Sequence, residues 1–350
     1  MTSQVPSYTL FKTKINELAA KIGGTVPSCA TTDNGKMLTP SDSDADTYVL
    51  ADAASGMPDC ATTDNGKILT PSNTVANEYG LAINGFSALY GNVTDSGTCG
   101  THANWVLTDD GILIIAGYAA MTDYASFSET PWYGYINSIT QIVIMPGPTS
   151  IGDYAFFNCS NLISITIPDS VMSIGPYAFH GCSALTSIII PDSVTSIGMY
   201  AFYSCSSLVS MTLPDGVTSI GIYAFGKCSA MSSITIPDSG VSIEQYAFYG
   251  CSALTSITIP ADITSIKDQV FHDCSALTSI TIPAGVKSIG WYAFAGCSSL
   301  TSVTLGTQPS GGITQGSYVW TSTPSKDVYS VGGWANATTF PCGTATYHSI

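Results

Sequence analysis

Residues 196–218 read SIGMYAFYSCSSLVSMTLPDGVT, and the same pattern returns at a fixed interval along the chain. Seven cysteines, Cys159, Cys182, Cys205, Cys228, Cys251, Cys274 and Cys297, stand 23 residues apart without a slip. Three residues before each is Phe, from Phe156 to Phe294, and eight before each is Ile, from Ile151 to Ile289. Leu or Met follows at the third position after Cys and apolar residues at the sixth and eighth, with Pro at the ninth in the first six units. The L-x-x-I-x-I run alternates as a strand does, and the proline ends it. A unit this short cannot bury its Ile, Phe and Leu alone, so the units must stack, each coil covering the next and the strands joining in one parallel sheet. At about 4.8 Å per coil the stack predicts a rod of roughly 34 Å.

Stacking accounts for an unusual composition. The 350 residues include 45% hydrophobic but only 9% charged positions, with nine Lys, no Arg and a formal net charge of −15. Outward strand positions face their own copies in the next coil, where like charges repel and Ser and Thr do not. The lack of Arg and the negative sign argue against nucleic acid and anionic membranes as partners. No apolar run reaches the roughly 18 residues of a membrane span, so no membrane insertion is expected. The first 24 residues lack a basic region followed by a continuous apolar one and do not read as a secretory signal.

The repeat, as in residues 196–218, resembles the BspA-like (Treponema pallidum type) leucine-rich repeat over about residues 149–305. The stretch from Thr98 to Gly147, with TCGTHANWVLTDDGILIIAGYAAMTDY, resembles the β-rich piece that precedes such repeats. The resemblance implies a curved solenoid that binds proteins or surfaces, with no catalytic residues to carry over. The expected fold class is therefore mainly β: a leucine-rich-repeat solenoid of seven 23-residue coils with a parallel sheet, preceded by a β-rich segment and a short N-terminal helix. One unit is irregular, with Gly240 where its neighbours have Val194 or Val217, and a local bulge is expected there.

The flanks divide the rest. Phe11, Ile15, Leu18 and Ile22 are spaced as one face of a helix, and residues 1–26 are assigned to a helical attachment segment. Such a short helix is marginal alone, so docking or a homo-oligomer is expected. PSCATTDNGKMLTPS from Pro27 is echoed by PDCATTDNGKILTPS from Pro58, making residues 27–94 tandem β-modules with a 31-residue repeat. Residues 95–148 form the β-rich N-terminal cap or adaptor, 149–305 the solenoid, and 306–350 a C-terminal cap or recognition tip. The flank over residues 9–72 resembles tail-appendage proteins of phages and prophages, which implies a virion anchored through its N-terminus.

Catalysis and metal chemistry find no foothold. A column of single cysteines offers no tetrahedral metal site and poor disulfide geometry, so buried free thiols are expected, with any disulfide drawn from Cys29, Cys60, Cys99 and Cys342. His180 and His272 occupy one repeat position four coils apart, and His102 and His348 have no nucleophile signature around them. No enzyme activity, cofactor or metal is expected. Two outward features remain. One is the strand face, with Ser at the fifth position after Cys (Ser164 to Ser302) and Thr at the seventh, except Ile189, a hydroxyl array that also suits ice. The other is the pair of positions where the repeats disagree, six and two residues before Cys. From these Phe157, His180, Met199, Tyr203, Tyr249, His272 and Trp291 are candidate contacts to a protein or glycan on a host or cell surface, with neutral variation of a solvated face as the alternative. The functional expectation is a non-enzymatic surface-binding protein, on a phage virion as tail fibre or other appendage, or alternatively a cell-surface adhesin.

Overall fold

The computed structural model describes residues 92–238, 240–306 and 313–323, together with the backbone of strands Met37–Pro40, Tyr48–Ala51, Lys326–Ser330 and Ala345–Ser349. The chain divides into two units, Met1–Val93 and Thr94–Ile350. In the first unit, Met37–Pro40 falls on the expected strand of the first TTDNGK module and pairs antiparallel with Tyr48–Ala51. The helix expected at residues 9–22, the second module, and Cys29, Cys60 and Cys342 lie outside the described residues.

The second unit is the solenoid, and its coils are numbered here 1 to 7 from Cys159 to Cys297. Each Ser-Ile pair ahead of the turn joins the equivalent pair one coil away in a parallel ladder, as Ser196–Ile197 does with Ser173–Ile174 and Ser219–Ile220. The S-x-T run after the turn forms a second set of parallel ladders, interrupted at coils 2 and 5, with Ser279–Ile282 paired to Ser302–Leu305. Between the ladders the turn also bonds from coil to coil: the N–H groups of Phe179 and Phe202 donate to the carbonyls of Ala201 and Ala224 at 2.7 and 2.8 Å. Few backbone groups are therefore left to water inside the stack.

The repeated Ile, Phe, Leu and Cys all point inward and are buried. The seven Phe rings stack in one column with centroids 5.2–5.7 Å apart. A tryptophan closes each end of the column: Trp132 stacks on Phe156 at 5.8 Å, and Trp320 on Phe294 at 4.8 Å. Trp132 is fully buried and its indole N–H donates to the Ala155 carbonyl at 2.7 Å. The larger ring covers the face that an unstacked Phe would expose.

The thiols run parallel to the rings. Every described cysteine, Cys99 included, is free and buried. From coil 2 to coil 7 each Sγ–H donates to the carbonyl of the preceding coil's Phe, at 3.1–3.3 Å. Burial pushes the thiols of Cys159, Cys205 and Cys251 up to about 12.

Hydroxyls on the outside do more than avoid charge repulsion. Ser252, Ser275 and Ser298 each donate to the carbonyl of the equivalent serine one coil earlier, at 3.2–3.4 Å. Thr255, Thr278 and Thr301 do the same in a second column, at 3.3–3.5 Å. Ser and Thr thus act as a stitch between coils that an alkyl or a charged side chain would not provide.

Both ends of the sheet continue past the strict period. Upstream, Gln141–Ile144 pairs in parallel with Ser164–Thr166 at the same 23-residue offset, and with Ile112–Gly117 on its other side. Ile112–Gly117 is then antiparallel to Ala103–Thr108, so a hairpin packed on Trp105 and Trp132 replaces the exposed edge of coil 1. Downstream, Thr314–Gln315 pairs with Ser288–Ile289 and Lys326–Ser330 with Ser302–Leu305, and Ala345–Ser349 follows in parallel. Ser317-Tyr318-Val319-Trp320 therefore repeats the turn of coil 7 with Trp in place of Phe, a coil hidden from the sequence because its Cys position holds Thr323.

The bulge expected at Gly240 is present. Gly240 is exposed with φ of 74°, and Val241, one residue late, fills the buried slot that Val194 and Val217 hold in their coils.

Two outcomes test this packing. A Cβ at Gly198 would lie 2.5 Å from the Gly175 carbonyl carbon, so coils touch backbone to backbone there. Gly198→Ala should lower stability by about 1–3 kcal/mol in urea unfolding, whereas Gly134→Ala, with nothing within 4 Å, should be near neutral. In a chain whose Cys29, Cys60 and Cys342 are changed to Ser, iodoacetamide at pH 8 should leave the native thiols unlabelled and label all eight after denaturation. Native labelling of the repeat cysteines would contradict the buried column.

Candidate functional site

The outward strand face has the expected orientation: Ser210, Thr212, Ser233, Thr235, Ser279 and Thr281 are exposed, and Met211, Ile234 and Ile280 between them are buried. The hydroxyl array is not continuous. Ile189 is 63% exposed within it, and Ile163 and Val209, each one residue ahead of the array's Ser, are exposed in coils 1 and 3.

The variable positions two residues before Cys are stacked rather than free. Phe157 lies on His180 at 4.5 Å and His180 on Tyr203 at 5.1 Å, all three half-buried. Phe127, from the segment before coil 1, extends the stack at 4.8 Å from Phe157, and Lys227 Nζ caps it 5.6 Å from the Tyr203 ring centroid. Coil 4 has Gly226 at this position, where a Cβ would come within 2.7 Å of the Tyr203 ring. The missing side chain lets Tyr203 lean across, so Gly226 belongs to the packing. Tyr249 and His272 form a second, shorter stack at 5.3 Å.

Beside this column runs another that the reading of variable positions did not single out. Five residues before Cys, Tyr154, Tyr177, Tyr200, Tyr223 and Tyr246 stack with centroids 4.2–4.8 Å apart and interplanar angles of 3–17°. Its signal was present as a tyrosine retained between varying neighbours. Each of these residues has φ between 55° and 61°, a left-handed conformation that costs a Cβ-bearing residue roughly 1–2 kcal/mol. Ring stacking, worth about 0.5–1.5 kcal/mol per pair, offsets that cost. The two columns touch edge to face, as Tyr200 and Tyr203 do at 5.3 Å, and together make an aromatic ribbon.

The ribbon is nearly uncharged. Burial holds the His180 imidazole below its usual range and so favours its neutral form, and burial raises the phenols of Tyr177, Tyr200 and Tyr223 so that their hydroxyls keep their protons. His272 Nδ1 lies 3.2 Å from Asp273 Oδ2. Met199 and Trp291 belong to neither stack. They stand in the column six residues before Cys, both exposed. His102 stacks on Tyr118 at 4.6 Å, apart from the other histidines. Among the described residues no cluster of three or more His, Cys, Asp or Glu could hold a metal ion, and no helix is long and apolar enough to cross a membrane.

Known proteins agree with this architecture. The family model described as the BspA type leucine rich repeat region matches residues 129–239 and 195–311, in six copies that together span more than half the chain. A leucine-rich repeat protein from Bacteroides ovatus is 25% identical with a TM-score of 0.51, covering 74% of this chain and 75% of its own. The leucine rich repeat protein of T. pallidum is 26% identical over 56% of this chain and 86% of its own, with a TM-score of 0.35. No curated protein sequence matches the chain. It is a module built on stacked repeats, and it belongs to the BspA-type leucine-rich-repeat proteins.

Proposed function

We propose that the chain is a cell-surface adhesion module that holds a protein or glycan of a facing surface against its aromatic ribbon. The observation that carries this is the stack of Phe127, Phe157, His180 and Tyr203 capped by Lys227, half-buried aromatic area held rigid by the neighbouring tyrosine column. Rigid aromatic faces with polar tips lose little conformational entropy when a partner covers them, which is why such residues dominate binding hot spots. Membership of the BspA-type repeat family supports a binding role. Display on a virion rests on the flank motif at residues 9–72 alone, and the cell-surface reading has the wider support. Ice binding by the strand face is disfavoured by the exposed Ile163, Ile189 and Val209 that interrupt its hydroxyls.

Beads coated with the full chain should adhere to cultured epithelial monolayers, and the Phe157→Ser, Tyr203→Ser double variant should lose about tenfold in bound beads while keeping its native circular dichroism. Fractionation gives the location: the chain is expected in the cell-wall fraction and absent from sedimented phage particles. The reverse distribution would replace the adhesin with a virion component.

A further inference from the structure

Coil 6 is where the repeat gives way. Its turn reads Ile266-Lys267-Asp268-Gln269-Val270-Phe271-His272-Asp273-Cys274, where coils 1 to 4 and 7 share Ile-Gly-x-Tyr-Ala-Phe-x-x-Cys. Two structural features coincide with the changes. The Ser-Ile ladder stops between Ser242–Ile243 and Ser265–Ile266 and resumes as a separate three-stranded sheet. The tyrosine column loses a ring, and Gln269 Nε2 instead donates to the Tyr246 hydroxyl at 2.8 Å. In a solenoid each coil is templated by its neighbours, so departures gathered in one coil mark a place where something other than stacking decides the residues.

A groove of about 330 Å³ opens at this joint and runs across coils 6 and 7 onto Gln315 and Gly316. Trp291 forms one wall and is 55% exposed. Its backbone N–H donates to Asp268 Oδ1 at 2.7 Å, and a Cβ on Gly316 would lie 2.5 Å from its Cδ1, so the indole is set against the next coil's backbone. Lys267, Gln245, Ser288 and Thr314 also line the groove. Gln315 lines it too. Its side-chain oxygen accepts from Trp320 Nε1 at 3.0 Å, while its amide nitrogen is buried with no hydrogen-bond partner among the described residues.

We propose that this groove is a glycan subsite that seats one neutral pyranose ring on Trp291. An indole face suits the aliphatic C–H face of such a ring, and hydroxyls that both donate and accept suit the Gln245 amide, the Lys267 ammonium and the Ser288 and Thr314 hydroxyls that line the groove. The volume lies at the lower end of the roughly 300–1,000 Å³ of small-molecule sites, enough for a sugar ring and too little for a folded partner. Lys267 and Asp268 balance each other locally, and the chain's net charge of −15 disfavours an acidic sugar. The site rests on the chain being a binding module and is separate from the ribbon.

The full chain titrated with methyl β-D-glucopyranoside, methyl β-D-galactopyranoside and methyl α-D-mannopyranoside, each to about 50 mM, tests it by indole emission and saturation-transfer NMR. At least one pyranoside should give a saturable response that glycerol does not. Trp291→Ala should weaken it at least tenfold, and the double change Lys267→Gly, Gln269→Tyr, which restores the Gly and Tyr of the repeat, should weaken it several-fold. The Phe157→Ser, Tyr203→Ser variant should bind the sugar unchanged even where bead adhesion is lost, so the subsite and the ribbon stand or fall separately. No saturable response to any of the three sugars, or a full response from a natively folded Trp291→Ala chain, would overturn the subsite.

Discussion

Everything in this molecule depends on one coil lying directly on the next. A single coil has two short strands, a turn and a few apolar side chains, and cannot meet the entropy of its own ordering. Stacking solves several problems together: the Phe faces are covered, turn N–H groups find carbonyls, and thiols and hydroxyls find acceptors one coil away. The close approach has its own demand. Where Gly198 faces Gly175 and Gly221 faces Gly198, a Cβ would fall 2.5–2.7 Å from backbone carbon. Glycine is required there for space, since neither Gly198 nor Gly221 has a positive φ.

The same constraint explains what could be read from the sequence. Residues that must repeat identically are visible as a period, so the Ile, Phe, Cys and Leu columns, the seven coils and the parallel sheet followed from spacing alone. Even the exception at Gly240 was visible, since a slipped Val241 disturbs a regular series. What escaped were parts that preserve geometry while changing chemistry. Trp132 and Trp320 continue the Phe column at its ends, where a larger ring is wanted, and the turn around Tyr318 continues the coil with no cysteine to mark it. The candidate site was half legible. Variation at the position before the last turn residue pointed to Phe157, His180 and Tyr203, but that they stack, and that Gly226 makes room for Tyr203, depends on contacts between residues 23 apart whose identities differ.

Charge follows a subtler rule than repulsion between copies. Asp169, Asp192, Asp215 and Asp238 occupy one position in coils 1 to 4, all exposed in the turn after proline. In water, unit charges about 4 Å apart repel by only about 1 kcal/mol, and salt screens more distant ones. Carboxylates are therefore tolerated in a solvated turn. In the Ser and Thr columns just ahead of the S-x-T strands the limit is the need for a hydroxyl that can donate to the coil before, which Asp and Glu cannot do when ionised. Low charge in those hydroxyl columns and an aspartate column at the turn are two results of the same geometry.

A repeat solenoid also offers a way to separate structure from function within one chain. Where all coils agree, stacking is a sufficient cause and no ligand need be invoked: the tyrosine column, although aromatic and partly exposed, offsets the left-handed backbone it sits on. Where coils disagree, two cases arise. Disagreement that neighbours compensate, as Gly226 does for Tyr203, still belongs to packing. The other case is coil 6, where the Ser-Ile ladder ends and the tyrosine column loses a ring, with the Gln269 amide hydrogen-bonded to the Tyr246 hydroxyl in its place. Stability alone would favour the Gly, Tyr and Ala that coils 1 to 4 and 7 hold there. Among the described residues, this departure falls where an exposed tryptophan stands beside a groove, and that coincidence links the sequence irregularity to recognition.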